Sequence, residues 1–251
     1  MDQNLQDIAD KIIKYLDQKK VQYCDVRADQ QIKKSALIEN DEIEHITDNE
    51  NKGVGVRLIK NGTWSFCSIT NPNSFDEIKN ILDNTIKNSD YRNIDNKKIK
   101  LHSNPVNKRE INFPVLKKPE IEELIKIGFE CNKIISDTPK IIKSITNASH
   151  TVNSKYFTNS EGSEILQNFT DVIMEMVATA HESGQTQSVN ITEGGRGGLE
   201  LITNKIQQSA KEISKKASEL IYAKPVKEEK ATVVMNPDFV SLLTHEILGH
   251  P

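Results

Sequence analysis

The chain opens with apolar residues at helical spacing. Leu5, Ile8, Ala9, Ile12, Ile13, Tyr15 and Leu16 recur every three to four positions, which predicts an amphipathic helix ending near Lys19. The period then shortens to two. Residues 23–28 form a short β-prone run, and residues 35–39 with 42–46 predict a hairpin turning on Asn40 and Asp41. Residues 54–59 and 63–69 predict a second hairpin around Asn61 and Gly62, a pair that accepts positive φ at little cost. Asn73 or Ser74 caps a second helix with Ile78, Ile81, Leu82 and Ile86 on one face. From residue 89 to 118 the chain is polar, rich in Asn and Lys and punctuated by proline, which places a domain boundary near residue 105.

Helical spacing returns after Pro119, through Leu124, Ile125, Ile127, Phe129 and Ile134, with the proline in the first turn where its missing N–H costs nothing. Long antiparallel strands are expected at residues 140–151, 155–159 and 163–180, the last two joined by Asn159-Ser160-Glu161-Gly162. Residues 193–198 read as a flexible glycine loop ahead of an amphipathic helix from 199 to about 223. A strand over 230–235 follows, and Asn236-Pro237 turns the chain into a helix over 238–249. The expected class is α+β, with three parts. These are an amino-terminal strand–helix domain (1–105), a larger, mainly antiparallel sheet domain with flanking helices (106–225), and the start of a catalytic domain (226–251).

Composition narrows the classes of function. Thirty-three basic residues face 36 acidic ones, for a net charge of −3, and the two signs are interspersed, so nucleic-acid binding has no electrostatic support. No basic and apolar leader opens the chain, and no stretch approaches the roughly 18–20 apolar residues of a membrane span. The expected location is the cytoplasm. Cys24, Cys67 and Cys131 share no CxxC spacing and are expected to be reduced, buried side chains.

The chemistry concentrates at the end, in His245-Glu246-Ile247-Leu248-Gly249-His250. Two imidazoles flank a carboxylate, which supplies two nitrogen ligands for zinc and one general base. The histidines are five apart, whereas the familiar HExxH spacing is four. On a regular α-helix an i, i+5 pair lies about 140° apart, so the two rings would diverge. The spacing therefore predicts a π-type widening, or a helix end at Gly249 that swings His250 back. By chance such a pattern arises on the order of once in a hundred sequences of this composition. In that plain alternative the two residues are helix-terminal histidines favoured by the helix dipole.

The surrounding residues favour the metal reading. Residues 233–237 and 242–251 resemble the metal helix of the TldD/PmbA family, and residues 23–27, 53–57, 61–66 and 159–163 are similar to that family's amino-terminal landmarks, in order. The resemblance spans nearly the whole chain. It implies that His245 and His250 are zinc ligands, that Glu246 is the general base or acid, and that the substrate is unfolded or extended peptide. TldD-type subunits carry HExxxH and PmbA-type partners lack it, so the resemblance implies a homodimer or a heterodimer with a PmbA-like subunit. Family members continue into a carboxy-terminal domain whose His-Cys pair brings a cysteine as third ligand. Nothing here replaces it, so this chain is expected to be an inactive fragment that ends just after its motif. The rival reading is a non-catalytic dimerisation or peptide-binding module.

Weaker signals have structural readings. Gly194-Gly195-Arg196-Gly197-Gly198 offers an anion-binding nest or an RGG-like contact, but lacks the Lys-Ser/Thr of a P-loop and is expected to be a flexible loop, a mobile flap near the substrate. Arg27 and Arg57 lie in strand-like runs and are expected in buried or inter-strand ion pairs rather than in catalysis. Trp64 and Phe66 alternate on one strand face as core or interface residues. His45, His102, His150 and His181 lack partners at ligand spacing and are expected as surface or strand histidines.

Overall fold

The computed structural model describes residues 2–72, 74–91, 99, 101–102, 104–203 and 205–250. The chain forms two compact units, Met1–Ile221 and Tyr222–Pro251. The first unit is α+β, as the patterning predicts. Its elements run α1 (Gln3–Gln18), β1 (Tyr23–Glu39), β2 (Glu42–Lys60), β3 (Thr63–Thr70), α2 (Phe75–Tyr91), β4 (Lys108–Asn112), α3 (Ile121–Ser136), β5 (Ile141–Asn159), β6 (Glu164–Glu182), β7 (Gln185–Arg196) and α4 (Ile206–Leu220), with a 3-10 turn at Leu199–Leu201.

The strands form one sheet in the order β3-β2-β1-β5-β6-β4, and β7 pairs with β6 beside β4. Every pairing is antiparallel except that of β4 with β6. Both expected hairpin turns are present. Asn40 and Asp41 take φ of 49° and 64°, and Asn61 and Gly62 take 52° and 77°, the two positive values that a right-twisted two-residue hairpin needs.

The strands are longer than their apolar runs. β1 crosses the polar stretch 29–34 and β2 crosses 47–53, where sequence alternation fails on both faces. Cross-strand polar pairs hold this middle together. Lys34 meets Asp48 at 3.3 Å, Lys155 meets Asp29 at 3.3 Å, and Gln31 donates to Asn153 at 3.1 Å. Such pairs contribute roughly 0.2–1 kcal/mol each, enough to keep a strand going without apolar side chains.

On either side of the polar middle lies a hydrophobic cluster. One joins Leu5, Ile8, Ile12 and Leu16 of α1 and Ile78 and Leu82 of α2 to Val26, Val54, Val56 and Leu58 of the sheet. The other joins Leu124, Cys131 and Ile135 of α3 and Ile206, Ala210, Ile213 and Ala217 of α4 to Ala148, Val172, Met174 and Met176. The sheet is continuous through the boundary expected near residue 105, so the two ends differ in which helices cover them. Ile81, expected on the buried face of α2, is exposed.

The opposite face bears a row of cations stacked on rings. Arg57 lies over Trp64 at 5.4 Å, Arg27 over Phe157 at 5.1 Å, and Arg196 over Phe169 and Phe113 at 3.9 and 4.8 Å.

Two further local expectations fail. Residues 193–196 are not a loop, because Gly194, Gly195 and Arg196 continue β7 and pair with Ile173, Val172 and Asp171, and only Gly197 and Gly198 connect it to the next turn. A Cβ at Gly194 would stand 2.0 Å from the carbonyl oxygen of Val172, so glycine here permits a close strand approach. Residues 230–235 are not a strand either. A β-prone run needs a neighbouring edge for its N–H and C=O groups, and within the second unit this run has none.

Candidate metal centre

The second unit is one helix and its approach. Asn236 caps it, its Oδ1 accepting from the N–H of Phe239 at 2.9 Å, and Pro237 occupies the first turn. Helix α5 (Pro237–Thr244) then widens into a π turn over His245–Gly249, and His250 leaves the helix with φ −128° and ψ 51°. This is the departure from α geometry that the five-residue spacing demands. In a π turn residue i+5 comes round above residue i. Gly249 takes no positive φ, and a Cβ there would make only ordinary contact with the His245 ring, at 3.6 Å from Nδ1. The backbone freedom of Gly249 is thus not what brings the rings together.

The two imidazoles converge. His245 Nε2 and His250 Nε2 are 2.9 Å apart, with ring centroids 4.6 Å apart and the rings edge-on at 83°. At that separation one ring donates its Nε2–H to the other. Zinc is held by histidine nitrogen at about 2.0–2.1 Å, and two such ligands on a tetrahedron stand about 3.3 Å apart. The observed pair therefore fits one edge of that donor set after opening slightly, with the donor ring carrying its proton on Nδ1 instead. Glu246 is adjacent in sequence to His245. Among the described residues no group of three or more His, Cys, Asp or Glu side chains is placed to hold a metal. The cysteines do not enlarge the set. Burial pushes the Cys24 and Cys131 thiols up to about 12, and Cys67 is also raised by burial.

Arg27, Arg57, Trp64 and His181, also singled out, have structural partners. Asp25 is fully buried and accepts from Arg57 through Nε and Nη2 at 3.0 and 2.8 Å, while Arg27 closes on its other oxygen. Trp64 packs edge-on against Tyr23, and Phe66 is 64% exposed. His181 Nδ1 meets Thr186 Oγ1 at 2.8 Å.

Sequence reasoning missed the role of Glu200 and, having placed His150 in a strand, missed the isolation of its ring. Glu200 accepts the N–H groups of Gly198 and Lys117 at 2.8 and 2.9 Å, so the glycine run serves the protein's own carboxylate. Desolvation raises the pKa of Glu200, but these backbone donors outweigh it and hold the group below the usual carboxylate range. His150 is only 8% exposed, and neither ring nitrogen has a hydrogen-bond partner. Its pKa is lowered, first by desolvation and next by Lys34, its neighbour across the β1–β5 ladder. Neither residue belongs to a motif, so no spacing could have marked it.

Known proteins give a context for this arrangement. Residues 24–89 match the family model described as PmbA/TldA metallopeptidase domain 1, and residues 114–223 match the PmbA/TldA metallopeptidase central domain. A metalloprotease of Methanocaldococcus jannaschii is 28% identical over 244 residues, covering 91% of this chain and 51% of that protein. A metalloprotease of Methanothermobacter thermautotrophicus is 22% identical over 240 residues, covering 92% and 50%. The chain thus spans about half the length of these relatives. Two solved structures share the fold. A putative modulator of DNA gyrase from Bacteroides thetaiotaomicron superposes with a TM-score of 0.69 at 17% identity, covering 84% of this chain and 49% of that one. TldE from Thermococcus kodakarensis superposes at 0.66 and 15% identity, covering 84% and 47%.

Proposed function

The chain belongs to the PmbA/TldD metallopeptidase family, and on that premise we propose that it is the amino-terminal part of a zinc peptidase of the TldD type, acting in the cytoplasm on unfolded or extended peptides. The observation that supports this most is the convergence of His245 and His250 in a π turn, with Glu246 between them in sequence. Both rings offer Nε2 to one metal ion. Bound zinc supplies a water whose pKa is lowered to about 7. Glu246 takes a proton from water and returns it to the leaving amine, the two halves of general base and acid work. By family resemblance the third ligand is the cysteine of a carboxy-terminal His-Cys pair, and residues 226–251 begin that catalytic domain. Peptide joins a sheet edge as an added strand, so backbone groups rather than side chains are recognised. The active assembly is a homodimer or a heterodimer with a PmbA-like subunit.

A second reading has its own support. The described residues bring only two ligands together, which favours a non-catalytic dimerisation or peptide-binding module for these 251 residues taken alone.

The test is cleavage of an unfolded peptide by the protein extended through its catalytic domain, with and without zinc. The expected outcome is zinc-dependent cleavage that falls about 10²–10⁴-fold in Glu246→Gln, with folded substrates spared. Metal-independent peptide binding without cleavage would establish the module.

A further inference from the structure

Both two-residue hairpin turns are fastened by a side-chain amide from elsewhere in the chain. At the β1–β2 turn the N–H of Asp41 donates to Oδ1 of Asn132 at 2.9 Å. At the β2–β3 turn the N–H of Gly62 donates to Oε1 of Gln22 at 2.6 Å. Each bonded nitrogen follows an asparagine of positive φ, Asn40 at 49° or Asn61 at 52°. A third asparagine of positive φ, Asn71 at 48°, precedes Pro72, whose nitrogen carries no proton. The position matters chemically. A backbone nitrogen that loses its proton attacks the Cγ of the preceding asparagine side chain, forming an N–Cγ bond as the Cγ–Nδ2 bond breaks. Ammonia leaves with the proton that the nitrogen gave up, and water opens the resulting succinimide to aspartate or isoaspartate. Glycine hinders that attack least because it lacks a Cβ, and Asn61 is followed by glycine where no other asparagine of the chain is.

We propose that Asn61 is a latent deamidation site that Gln22 holds closed. The attack needs the Gly62 nitrogen free of its proton and turned toward the Asn61 side chain. The Gln22 side-chain oxygen engages that proton, and the turn around it is pinned. The Gln22 N–H donates to the carbonyl oxygen of Ile59 at 2.8 Å, Lys60 Nζ donates to the carbonyl oxygens of Lys19 and Lys20 at 2.8 and 3.1 Å, and the Gly62 carbonyl oxygen accepts from the N–H of Ile99 at 3.0 Å. Gly62 is buried while Asn61 is exposed, so solvent reaches the side chain but not the nucleophile. Isoaspartate adds a methylene to the main chain of a turn whose residues hold φ of 52° and 77°, and the Lys60–Thr63 pairing beside it cannot then be kept. Trp64, the chain's one tryptophan, follows that pair and meets Tyr23 edge-on at 5.9 Å, so its emission reports the change. Asn40 has the same fastening but is followed by the bulkier Asp41, which makes it the internal reference. The modification needs nothing from the metal motif.

The experiment is peptide mapping by mass spectrometry after incubation at mildly alkaline pH, for the folded protein, the urea-unfolded protein and two variants. The unfolded chain is expected to deamidate at Asn61, and the folded protein to do so at least about tenfold more slowly. Gln22→Ala is expected to speed the folded rate about two- to tenfold, the effect of one lost hydrogen bond, with Asn40 unmoved and Trp64 emission shifting as product accumulates. Gln22→Glu retains an acceptor oxygen and is expected to stay slow. Equal folded and unfolded rates overturn the proposal, as does a Gln22→Ala rate equal to that of the unmodified protein, a Gln22→Glu rate as fast as that of Gln22→Ala, or an Asn61 that survives in the unfolded chain. Acceleration at Asn61 and Asn40 together marks general loosening and overturns it too. Should the variants fail to fold, hydrogen exchange on the unmodified protein decides. Slow exchange of the Gly62 amide supports a closed site, and exchange at the unprotected rate rules it out.

Discussion

Among the described residues, those of 2–221 bury two hydrophobic clusters beneath four helices and assemble no metal-ligating group, whereas those of 222–250 carry His245, Glu246 and His250 and bury none of their large apolar side chains. Phe239, Leu242, Ile247 and Leu248 are all more than half exposed in the second region. Stability and chemistry are therefore written in different parts of the chain. Substitutions should separate them.

The largest separation is expected from Met174→Ala. This side chain is fully buried in the α3–α4 cluster, so its truncation should cost about 2–5 kcal/mol in urea unfolding while leaving zinc affinity unchanged. His250→Ala should do the reverse, weakening zinc binding at least about 100-fold, or about 2.7 kcal/mol, with no shift in the sheet's unfolding midpoint. A single variant that moved both quantities would break the division.

Asp25→Ala comes next. It strands two half-exposed guanidinium groups, and an expected loss of about 1–3 kcal/mol would mark the Asp25–Arg57–Arg27 cluster as structural. Unchanged stability with impaired peptide binding would move that cluster into the functional column.

A smaller, pH-dependent effect is expected at His150. Its folded pKa lies below the unfolded value near 6.5, so the unfolded chain binds the extra proton first. Stability from this residue is present above that value and is lost as pH falls through the window below it. The ring faces Lys34 on β1 and Val172 on β6, with Asp48, Glu120 and Lys118 also acting on it. His150→Leu should flatten the decline in thermal midpoint as pH falls below about 6.5, which melting curves at several pH values would detect.

The smallest effect is local. Glu200→Gln should loosen the end of β7, seen as faster tryptic cleavage at Arg196 without change in the global melt.

Much of this was legible in the sequence because it obeys one period at a time. The α1 periodicity, the Asn40-Asp41 and Asn61-Gly62 turns and the inter-strand ion pair of Arg57 each follow from a few adjacent residues, whereas Arg27 pairs with Asp25 along its own strand. The π turn followed from a spacing that an α-helix cannot serve. What was not legible depends on partners remote in sequence. The middle of β1 looks like a break because Asp29, Gln31 and Lys34 are polar, and only their cross-strand partners make them strand. β4 and β7 were missed because neither alternates strongly, and each is recruited by β6. The glycine run looked mobile because nothing in its sequence announces the Val172 carbonyl or the Glu200 carboxylate beside it.

The central pairing of the sheet also sets a timetable. β1 completes its ladder on β5, and Gln31 and Asn153 bond across 122 residues of sequence. On a ribosome adding about 5–20 residues per second, β1 waits roughly 6–25 s for that partner. Through that interval the β1 edge of its hairpin with β2 has no native strand to pair with.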